Sequence, residues 1–393
     1  MKKINDSVFF LGIADKERKL FDQLVPLREG TTYNSYLVKG GEKNALIDTM
    51  YAPFAEKYLE DVKSAGVKID YIVSNHAEQD HSSLIPALLE IYPDAVVLCS
   101  QKGAENLRNM MNVDASKIRV VADKEEVSLG AKTLRFYMAA FVHWPDTMFT
   151  YLVEDNLLFT CDFFGAHCTS FDLYADNSPA FELAAKSYYA EIMMPFASFC
   201  RKHLALAKQI NPAMVLPSHG AVYKDPEFIF DLYSKWTSTE VSGKVLICYV
   251  SMYGNTKILA ERLLNSLSKL GVSAKAVDLM ETDEGELAEE LIDATGVVFG
   301  SSCILSGPHP RLVYCAYLMS ILKPKAKFYT LIGSIGWGGN LIAPIEANLK
   351  LPSIEKLEPF VIKGCPKPHD FEALEAFAAA IAGKVAELKL KSA

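Results

Sequence analysis

The sequence His76-Ala77-Glu78-Gln79-Asp80-His81 places four potential metal ligands within six consecutive residues. It closely follows Tyr71–Ser74, an apolar run of the kind that forms a buried β-strand. Residues in a loop at the end of a strand are held by a rigid scaffold, which suits a metal site. A solvated polar loop is the alternative interpretation of the same residues. Further potential ligands elsewhere in the chain would favour the metal site.

Three more potential ligands each follow a strand-like run: His143 after residues 136–142, Asp162 after Leu157–Cys161, and His219 close behind Met214–Pro217. The whole set contains four histidines, one glutamate and two aspartates. Seven ligands are too many for one ion and suit two. Asp162 is then the natural bridging carboxylate, with three further ligands for each metal.

The residue types limit the metal. Mixed imidazole and carboxylate ligands suit iron, manganese or zinc. Cys161 precedes Asp162, but the alternation of side chains along a strand should turn its thiol to the opposite face. We therefore expect no thiolate ligand, and all three metals remain open.

Composition and cysteine spacing exclude several classes of protein. The 40 basic and 48 acidic residues give a net charge of -8, which argues against a nucleic-acid partner. The longest charge-free stretch, 328–345, is rich in glycine and contains Pro344, so we expect no membrane span. The eight cysteines form no C-x-x-C pair, which excludes a fused rubredoxin and favours free thiols in the cytoplasm.

The sequence pattern changes near residue 242. The first part has short strands with interspersed helices, which predicts an α+β sandwich. From the apolar run 245–250 onward, strands alternate with helices, which predicts an α/β doubly wound parallel sheet. The predicted domains are therefore 1–241 and 242–393, joined by the small polar residues 237–243.

A second candidate site lies in the second domain. Ser251-Met252-Tyr253-Gly254-Asn255-Thr256 follows the run 245–250 and opens a helix, an arrangement whose backbone N–H groups bind phosphate. It has no Walker lysine, so a nucleoside triphosphate is disfavoured. Two further loops follow parallel strands, where open sheets bind ligands. They are Ser301-Ser302-Cys303-Ile304-Leu305-Ser306-Gly307 and Ser334-Ile335-Gly336-Trp337-Gly338-Gly339-Asn340.

Three such loops would hold a phosphate, a ribityl chain and a flat ring, and Trp337 would stack on the ring. The simpler interpretations are an ordinary strand-to-helix turn at residue 254 and a hydrophobic plug at Trp337.

The metal motif resembles that of the flavodiiron proteins: H-x-E-x-D-H, followed by separate His, Asp and His. Their first domain has the metallo-β-lactamase fold, whose hydrolases usually carry histidine at the position of Glu78. The resemblance implies a metallo-β-lactamase-like αββα sandwich over 1–241, with iron as the metal. The first iron would bind His76, Glu78 and His143, the second would bind Asp80, His81 and His219, and Asp162 would bridge them.

The second domain is similar to flavodoxin, which implies FMN as its ligand. The chain departs from the common pattern in the loops. Tyr253 stands where flavodoxins usually have Thr or Ser, and Cys303 and Ser306 stand where many flavodiiron proteins have Thr and Asn.

The resemblance implies an oxidoreductase with two irons and one FMN per chain that reduces dioxygen to water or nitric oxide to nitrous oxide. A separate donor, a rubredoxin-like protein or a reduced deazaflavin, would reload the FMN. It also implies a head-to-tail homodimer, or a homotetramer, in which the FMN of one subunit faces the irons of another.

Two other functions are alternatives. A zinc-dependent hydrolase with a flavodoxin-like module would use a metal-activated water, although Glu78 in place of histidine counts against it. A simple electron carrier would leave the seven ligands without a role. His167, five residues after Asp162, is either a further donor beside the metals or an ordinary loop histidine.

Overall fold

The computed structural model describes residues 1–170 and 172–392 and divides the chain into two compact units, Met1–Thr237 and Ser238–Ala393. The first unit ends with a helix, Pro226–Thr237, and the guanidinium of Arg201 donates to the carbonyl oxygen of Thr237 at 2.6 Å. The predicted boundary at 241/242 falls between this helix and the first strand of the second unit. Within the described residues, no helix is both long and apolar enough to cross a bilayer.

The first unit contains two sheets. Its strands are β1 (Lys2–Lys3), β2 (Val8–Phe10), β3 (Ile13–Asp15), β4 (Leu20–Phe21), β5 (Val25–Pro26), β6 (Thr31–Tyr33), β7 (Tyr36–Lys39), β8 (Asn44–Ile47), β9 (Tyr71–Ser74), β10 (Val96–Cys99), β11 (Ile118–Val120), β12 (Glu126–Ser128), β13 (Thr133–Met138), β14 (Met148–Leu152), β15 (Leu157–Cys161) and β16 (Met214–Pro217). One sheet has the order β1-β2-β7-β8-β9-β10-β11 and the other β12-β13-β14-β15-β16. Two short ribbons, β3–β6 and β4–β5, complete the unit.

Helices cover the outer faces of these sheets. They are α1 (Ala55–Ser64), α2 (Gln79–Ser82), α3 (Ile85–Ile91), α4 (Gln101–Met111), α5 (Pro179–Tyr188), α6 (Ala197–Ile210) and α7 (Pro226–Thr237), with shorter helical turns at Ala52–Phe54, Ala115–Lys117, Tyr189–Met193 and Met194–Phe196. Serine side chains mark two of the starts, because Ser100 accepts from the N–H of Gly103 and Ser178 from that of Phe181.

Strand alternation explains the layers. On β7, Tyr36 and Val38 point into the core between the two sheets, where Phe136 of β13 also lies. Leu37, between them, points the other way and packs with Tyr58 of α1 in a second core. The unit is therefore an αββα sandwich, as predicted.

The second unit is a doubly wound parallel sheet. Its elements are β17 (Lys244–Val250), α8 (Asn255–Lys269), β18 (Ala274–Asp278), α9 (Glu284–Leu291), β19 (Ala294–Ser302), α10 (Pro310–Leu322), β20 (Phe328–Ile335), α11 (Ala343–Asn348), β21 (Glu355–Lys356), β22 (Phe360–Lys363) and α12 (Pro368–Ser392). The strand order is β18-β17-β19-β20, and both β21 and β22 pair with β20 in parallel. This order reverses between β17 and β19, the point at which such sheets bind ligands.

One predicted strand ends earlier than expected. The run 136–142 leaves the sheet at Met138, and residues 139–147 form a loop in which Phe141 N donates to Trp144 O (2.8 Å) and Ala139 N donates to Thr147 O (2.9 Å). His143 therefore lies within a hydrogen-bonded loop between β13 and β14, not directly at the end of a strand.

Candidate functional site

The loop after β9 is fixed by a buried carboxylate. The N–H of Asn75 donates to Asp48 at 2.8 Å, and its side-chain amide donates to the same carboxylate at 3.0 Å. Thr150 donates to the amide oxygen of Asn75 at 2.6 Å. These bonds set the chain direction immediately before His76. The next turn, α2, then carries Asp80 and His81.

The other three ligand positions belong to neighbouring loops. Asp162 opens a tight turn after β15, in which Gly165 N donates to Asp162 O at 2.9 Å. His219 follows β16, and the adjacent Gly220 N donates to the hydroxyl of Thr32 at 2.7 Å. With His143 in the 139–147 loop, all the predicted metal ligands come together at one edge of the sandwich.

The side chains form two groups that share one carboxylate. In the first group, Oε2 of Glu78 lies 3.0 Å from Nε2 of His76 and 3.2 Å from Nε2 of His143. Oδ2 of Asp162 lies 3.5 Å and 3.4 Å from the same two nitrogens. Four ligand atoms therefore surround one point.

The second group contains Asp80, His81 and His219. The Nε2 atoms of the two histidines lie 3.4 Å and 3.3 Å from the carboxylate oxygens of Asp80. They also lie 2.9 Å and 3.3 Å from Oδ1 of Asp162. Asp162 thus directs one oxygen to each group, as a bridging ligand does.

Hydrogen bonds behind the histidines orient their Nε2 atoms. Nδ1 of His76 lies 3.2 Å from Asp146, which also accepts from the N–H of Ala77 at 2.7 Å. Nδ1 of His219 donates to the carbonyl oxygen of Thr32 at 2.6 Å. Such partners fix the ring orientation of metal-ligating histidines. The sequence analysis missed Asp146, although it follows His143 by only three residues.

The charges within the cluster are strongly paired. Burial opposes the charged form of His143, but the neighbouring carboxylates of Asp162 and Glu78 raise its pKa to about 9. Burial also opposes the charged form of His219, but the neighbouring carboxylates of Asp162 and Asp80 raise its pKa to about 10. Burial favours a protonated Asp162, yet the charge of His81 and the other neighbouring imidazoles hold its pKa well below the usual range.

The residues fit metal cations. Among the described residues, Asp80 Oδ1, Asp162 Oδ2 and His219 Nε2 are buried atoms without a hydrogen-bond partner, and all of them point into the cluster. Buried carboxylates in such numbers need positive charge nearby, which metal cations would supply once the imidazoles are neutral ligands. The donor set of imidazole and carboxylate groups suits iron.

Cys161 corrects one prediction. The alternation argument placed its thiol on the face opposite Asp162, but its sulfur lies within 4.8 Å of ligand atoms of His81 and Asp162. The pairing of β15 with β16 shifts register between Phe159 and Cys161, and Cys161 has a left-handed φ of 50°. Side-chain alternation holds only for regular extended backbone, so it fails at this strand end.

Aromatic residues wall the second group. The ring of Phe21 lies 4.5 Å from that of His167 and 5.6 Å from that of His219. Tyr188 contacts His167 at 4.7 Å between ring centroids. No pattern in the sequence marks Phe21 or Tyr188, since they come from a two-stranded ribbon and a helix distant in the chain.

His167 lies beside the cluster rather than in a free loop. It is buried, and its Nδ1 is 3.0 Å from the hydroxyl of Thr31, which is itself 3.4 Å from Nδ1 of His219. Burial, together with the nearby charge of His219, holds the pKa of His167 well below 6.5. Its imidazole is therefore neutral near pH 7.

The second unit has a pocket at the carboxyl ends of β17, β19 and β20. It contains about 670 Å³ of space, its open mouth included. Predicted residues that line it are Ser251, Met252, Tyr253, Asn255, Thr256, Ser302, Cys303, Ser334, Gly336, Trp337 and Gly338, and Gly364 joins them unpredicted. The remaining predicted contacts, Gly254, Ser301, Ile304, Leu305, Ile335 and Gly339, belong to the same loops but lie outside this lining.

The pocket suits a phosphate and a flat ring. Gly254, with φ 88°, caps the start of α8, and the buried hydroxyl of Thr256 has no hydrogen-bond partner among the described residues. At Gly336 a Cβ would meet open space. Trp337 and Tyr253 are each 84% exposed, so Trp337 is not a hydrophobic plug within this unit.

Comparisons with known proteins indicate the family. A family model described as "ODP family beta lactamase" matches residues 31–220. The chain is 34% identical to a nitric oxide reductase of Moorella thermoacetica, with 98% of each chain covered. It is 31% identical to flavo-diiron protein FprA2 of Clostridium acetobutylicum, with 88% of this chain and 90% of the relative covered.

Two further relatives have names that specify an electron donor. A coenzyme F420H2 oxidase of Methanocaldococcus jannaschii is 29% identical, with 99% of this chain and 98% of the relative covered. The solved structure of rubredoxin oxygen:oxidoreductase from Desulfovibrio gigas superposes with a TM-score of 0.91 at 27% identity, covering 98% of this chain and 99% of that one. Since the similarity extends through both units and exceeds 30% identity over most of the chain, this protein is a flavodiiron protein, a member of that family of flavin- and iron-dependent oxidoreductases.

Proposed function

We propose that this chain reduces dioxygen to water, or nitric oxide to nitrous oxide, at a centre of two irons, with one FMN per chain as the electron source. The names of its relatives support both gases as substrates. Those names denote redox proteins, which favours the reductase over the zinc hydrolase.

The position of Asp162 carries the proposal. Its two oxygens serve two separate ligand groups, so His76, Glu78 and His143 would hold one iron and Asp80, His81 and His219 the other. When bound, the irons supply the place where a diatomic gas is reduced, and FMN supplies the electrons. The bridging carboxylate would keep the two cations close enough for both to act on the bound gas.

The surrounding residues suit a small neutral substrate. Phe21 and Tyr188 are nearly or fully buried, and their rings flank His167 beside the second group. Such walls exclude bulk water and strengthen electrostatic interactions inside the site. A neutral His167 adds no charge there.

FMN would bind the pocket of the second unit. The N-terminal end of α8 with Thr256 would hold the phosphate, and Tyr253 and Trp337 would flank the flavin ring. The exposure of both aromatic side chains, and of Leu305 at 95%, supports a partner surface at this pocket. We propose a head-to-tail homodimer, in which this surface meets the metal centre of a second copy.

The donor that reloads the FMN is a separate molecule. The relatives whose names include rubredoxin and coenzyme F420H2 support two candidates, a rubredoxin-like protein and a reduced deazaflavin. Steady-state rates with each donor distinguish them.

Metal and flavin analysis of the purified protein tests the proposal. Elemental analysis and the visible spectrum should give about two irons and one FMN per chain, and the Asp162→Ala variant should lose iron while keeping FMN. Zinc in place of iron together with absent flavin would support the hydrolase instead.

A further inference from the structure

The two loops that follow β19 and β20 in the cofactor pocket are bonded to each other. The N–H of Cys303 donates to the carbonyl oxygen of Ser334 at 3.0 Å, and the N–H of Asn340 donates to that of Ser306 at 3.0 Å. Between these two backbone bonds, the thiol of Cys303 donates to the carbonyl oxygen of Gly338 at 3.0 Å. One side chain therefore reaches from the first loop to the middle of the second.

This thiol anchors a segment that has little else to hold it. Among the described residues, Cys303 makes the one hydrogen bond to residues 336–339. Gly338 and Gly339 have φ of 154° and 123°, and glycine backbone is freer than any other when nothing fixes it. A Cβ at Gly339 would overlap the sulfur of Cys303, so the thiol also packs directly against this backbone.

Trp337 belongs to the same segment. Its side chain is 84% exposed, so packing against the rest of the unit does little to fix the ring. The position of the ring therefore depends on the adjoining backbone, and the adjacent Gly338 is the residue that Cys303 holds. A ring that is already in place binds a flat ligand with a smaller loss of conformational entropy.

We propose that Cys303 is a positioning residue of the FMN site, whose thiol holds the Gly338 carbonyl and thereby keeps Trp337 where the flavin ring binds. The proposal rests on the FMN binding proposed above and gives a role to a residue at which this chain departs from many flavodiiron proteins. Cys303 acts through Trp337 and needs no bond to the flavin itself. Because a thiol is a weak donor, its effect on FMN affinity should be moderate.

Fluorescence anisotropy decay of the FMN-free full chain tests the positioning step by itself. Trp337 is the most exposed of the three tryptophans, and Trp337→Phe identifies its share of the emission. Cys303→Ala should increase the nanosecond motion of the ring, and Cys303→Ser, which keeps a donor, should restore the slower motion at least in part. Cys365→Ala is the matched control, because this exposed thiol lies next to Gly364 at the same pocket. Unchanged motion in Cys303→Ala would overturn the proposal.

A double-mutant cycle for FMN binding tests the connection to the cofactor. Cys303→Ala should weaken FMN binding by about 3- to 10-fold, the size of one hydrogen bond, and Cys365→Ala should not. In a chain that already carries Trp337→Ala, Cys303→Ala should have little further effect, because it acts through the ring.

Equal losses in both backgrounds would overturn the proposal, as would equal FMN affinity in the wild type and Cys303→Ala. A wild type that binds no FMN would instead overturn the proposed function, and this proposal with it. If Cys303→Ala does not fold, as judged by circular dichroism, Cys303→Val replaces it, since valine fills the space of the thiol but cannot donate.

Discussion

Oδ1 of Asp162 lies 2.9 Å from Nε2 of His81. The other oxygen of the same carboxylate lies 3.4 Å from Nε2 of His143, in the first ligand group. One side chain therefore connects two ligand groups, and each prediction below depends on this geometry or on the cofactor pocket of the second unit.

Asp146 should control metal affinity without being a ligand. It lies 3.2 Å from Nδ1 of His76 and keeps Nε2 directed at the first group. The substitution Asp146→Asn removes the charge, and we expect the affinity for the first iron to fall by about 10- to 100-fold. Equilibrium dialysis against a competing chelator measures it. Asp123→Asn, an exposed carboxylate that accepts from Met138 N, is the control, and equal affinities in both variants would refute the role of Asp146.

Metal binding should strengthen as the pH rises. Without metal, the pKa values of His143 and His219 are raised from 6.5 to about 9 and about 10, so both rings keep their protons until the pH approaches those values. A metal must displace these protons, which gives about a tenfold gain in affinity per pH unit for each proton displaced. Titration of the protein with zinc or iron(II) at several pH values measures this slope. A flat profile between about pH 6.5 and 9 would contradict the charge pairing.

The same shifts set the stability of the metal-free protein. A raised histidine pKa stabilises the fold fully below the unfolded value of 6.5, and this contribution is lost as the pH rises through about 9 to 10. We therefore expect the melting temperature of the metal-free protein to fall as the pH rises across this range. The increase in melting temperature caused by added metal should become larger across the same range. Differential scanning calorimetry of the metal-free and metal-bound protein measures both melting temperatures. If the increase caused by metal became smaller as the pH rose, the prediction would be wrong.

Thr256 should affect FMN affinity and stability in opposite directions. Its buried hydroxyl has no hydrogen-bond partner among the described residues, so Thr256→Val should stabilise the FMN-free protein by about 1 kcal/mol or more. Loss of a bond to a charged phosphate should weaken FMN binding about 10- to 100-fold. Flavin fluorescence quenching and urea unfolding measure the two effects. Thr256→Ser should restore FMN binding, and unchanged affinity in Thr256→Val would place the phosphate elsewhere.

Two inactive variants should complement each other if the dimer is head-to-tail. Asp162→Ala removes the bridging ligand, and Gly336→Glu fills open space in the cofactor pocket with a charged side chain. Each homodimer should be inactive. A mixed dimer retains one intact FMN facing one intact metal centre, so co-expressed chains should recover activity. If mixed dimers form but activity does not recover, the head-to-tail arrangement is contradicted.

The sequence predicted which side chains would come together. The candidate metal ligands could be predicted because most of them lie close behind short apolar runs such as Tyr71–Ser74 and Met214–Pro217. The role of Asp146 could not be predicted, because its loop is held by hydrogen bonds to residues distant in the sequence. One of them runs from the hydroxyl of Ser100 to the carbonyl oxygen of Asp146 at 2.7 Å.

Cys161 was misplaced for a different reason. The strand rule assumes regular extended backbone, whereas a register shift and a positive φ turn this residue toward the cluster. Phe21 and Tyr188 have no local pattern that marks them, because only the folded chain brings the ribbon β4–β5 and helix α5 beside His167.

The most direct measurement is gas consumption by the iron-loaded protein with its FMN kept reduced. Electrodes for nitric oxide and dioxygen follow the wild type and Asp162→Ala under the same conditions. We predict consumption of at least one gas by the wild type, and its loss in a variant that still contains FMN. Equal consumption by both proteins would show that reduction does not take place at the Asp162 centre, and would contradict this account.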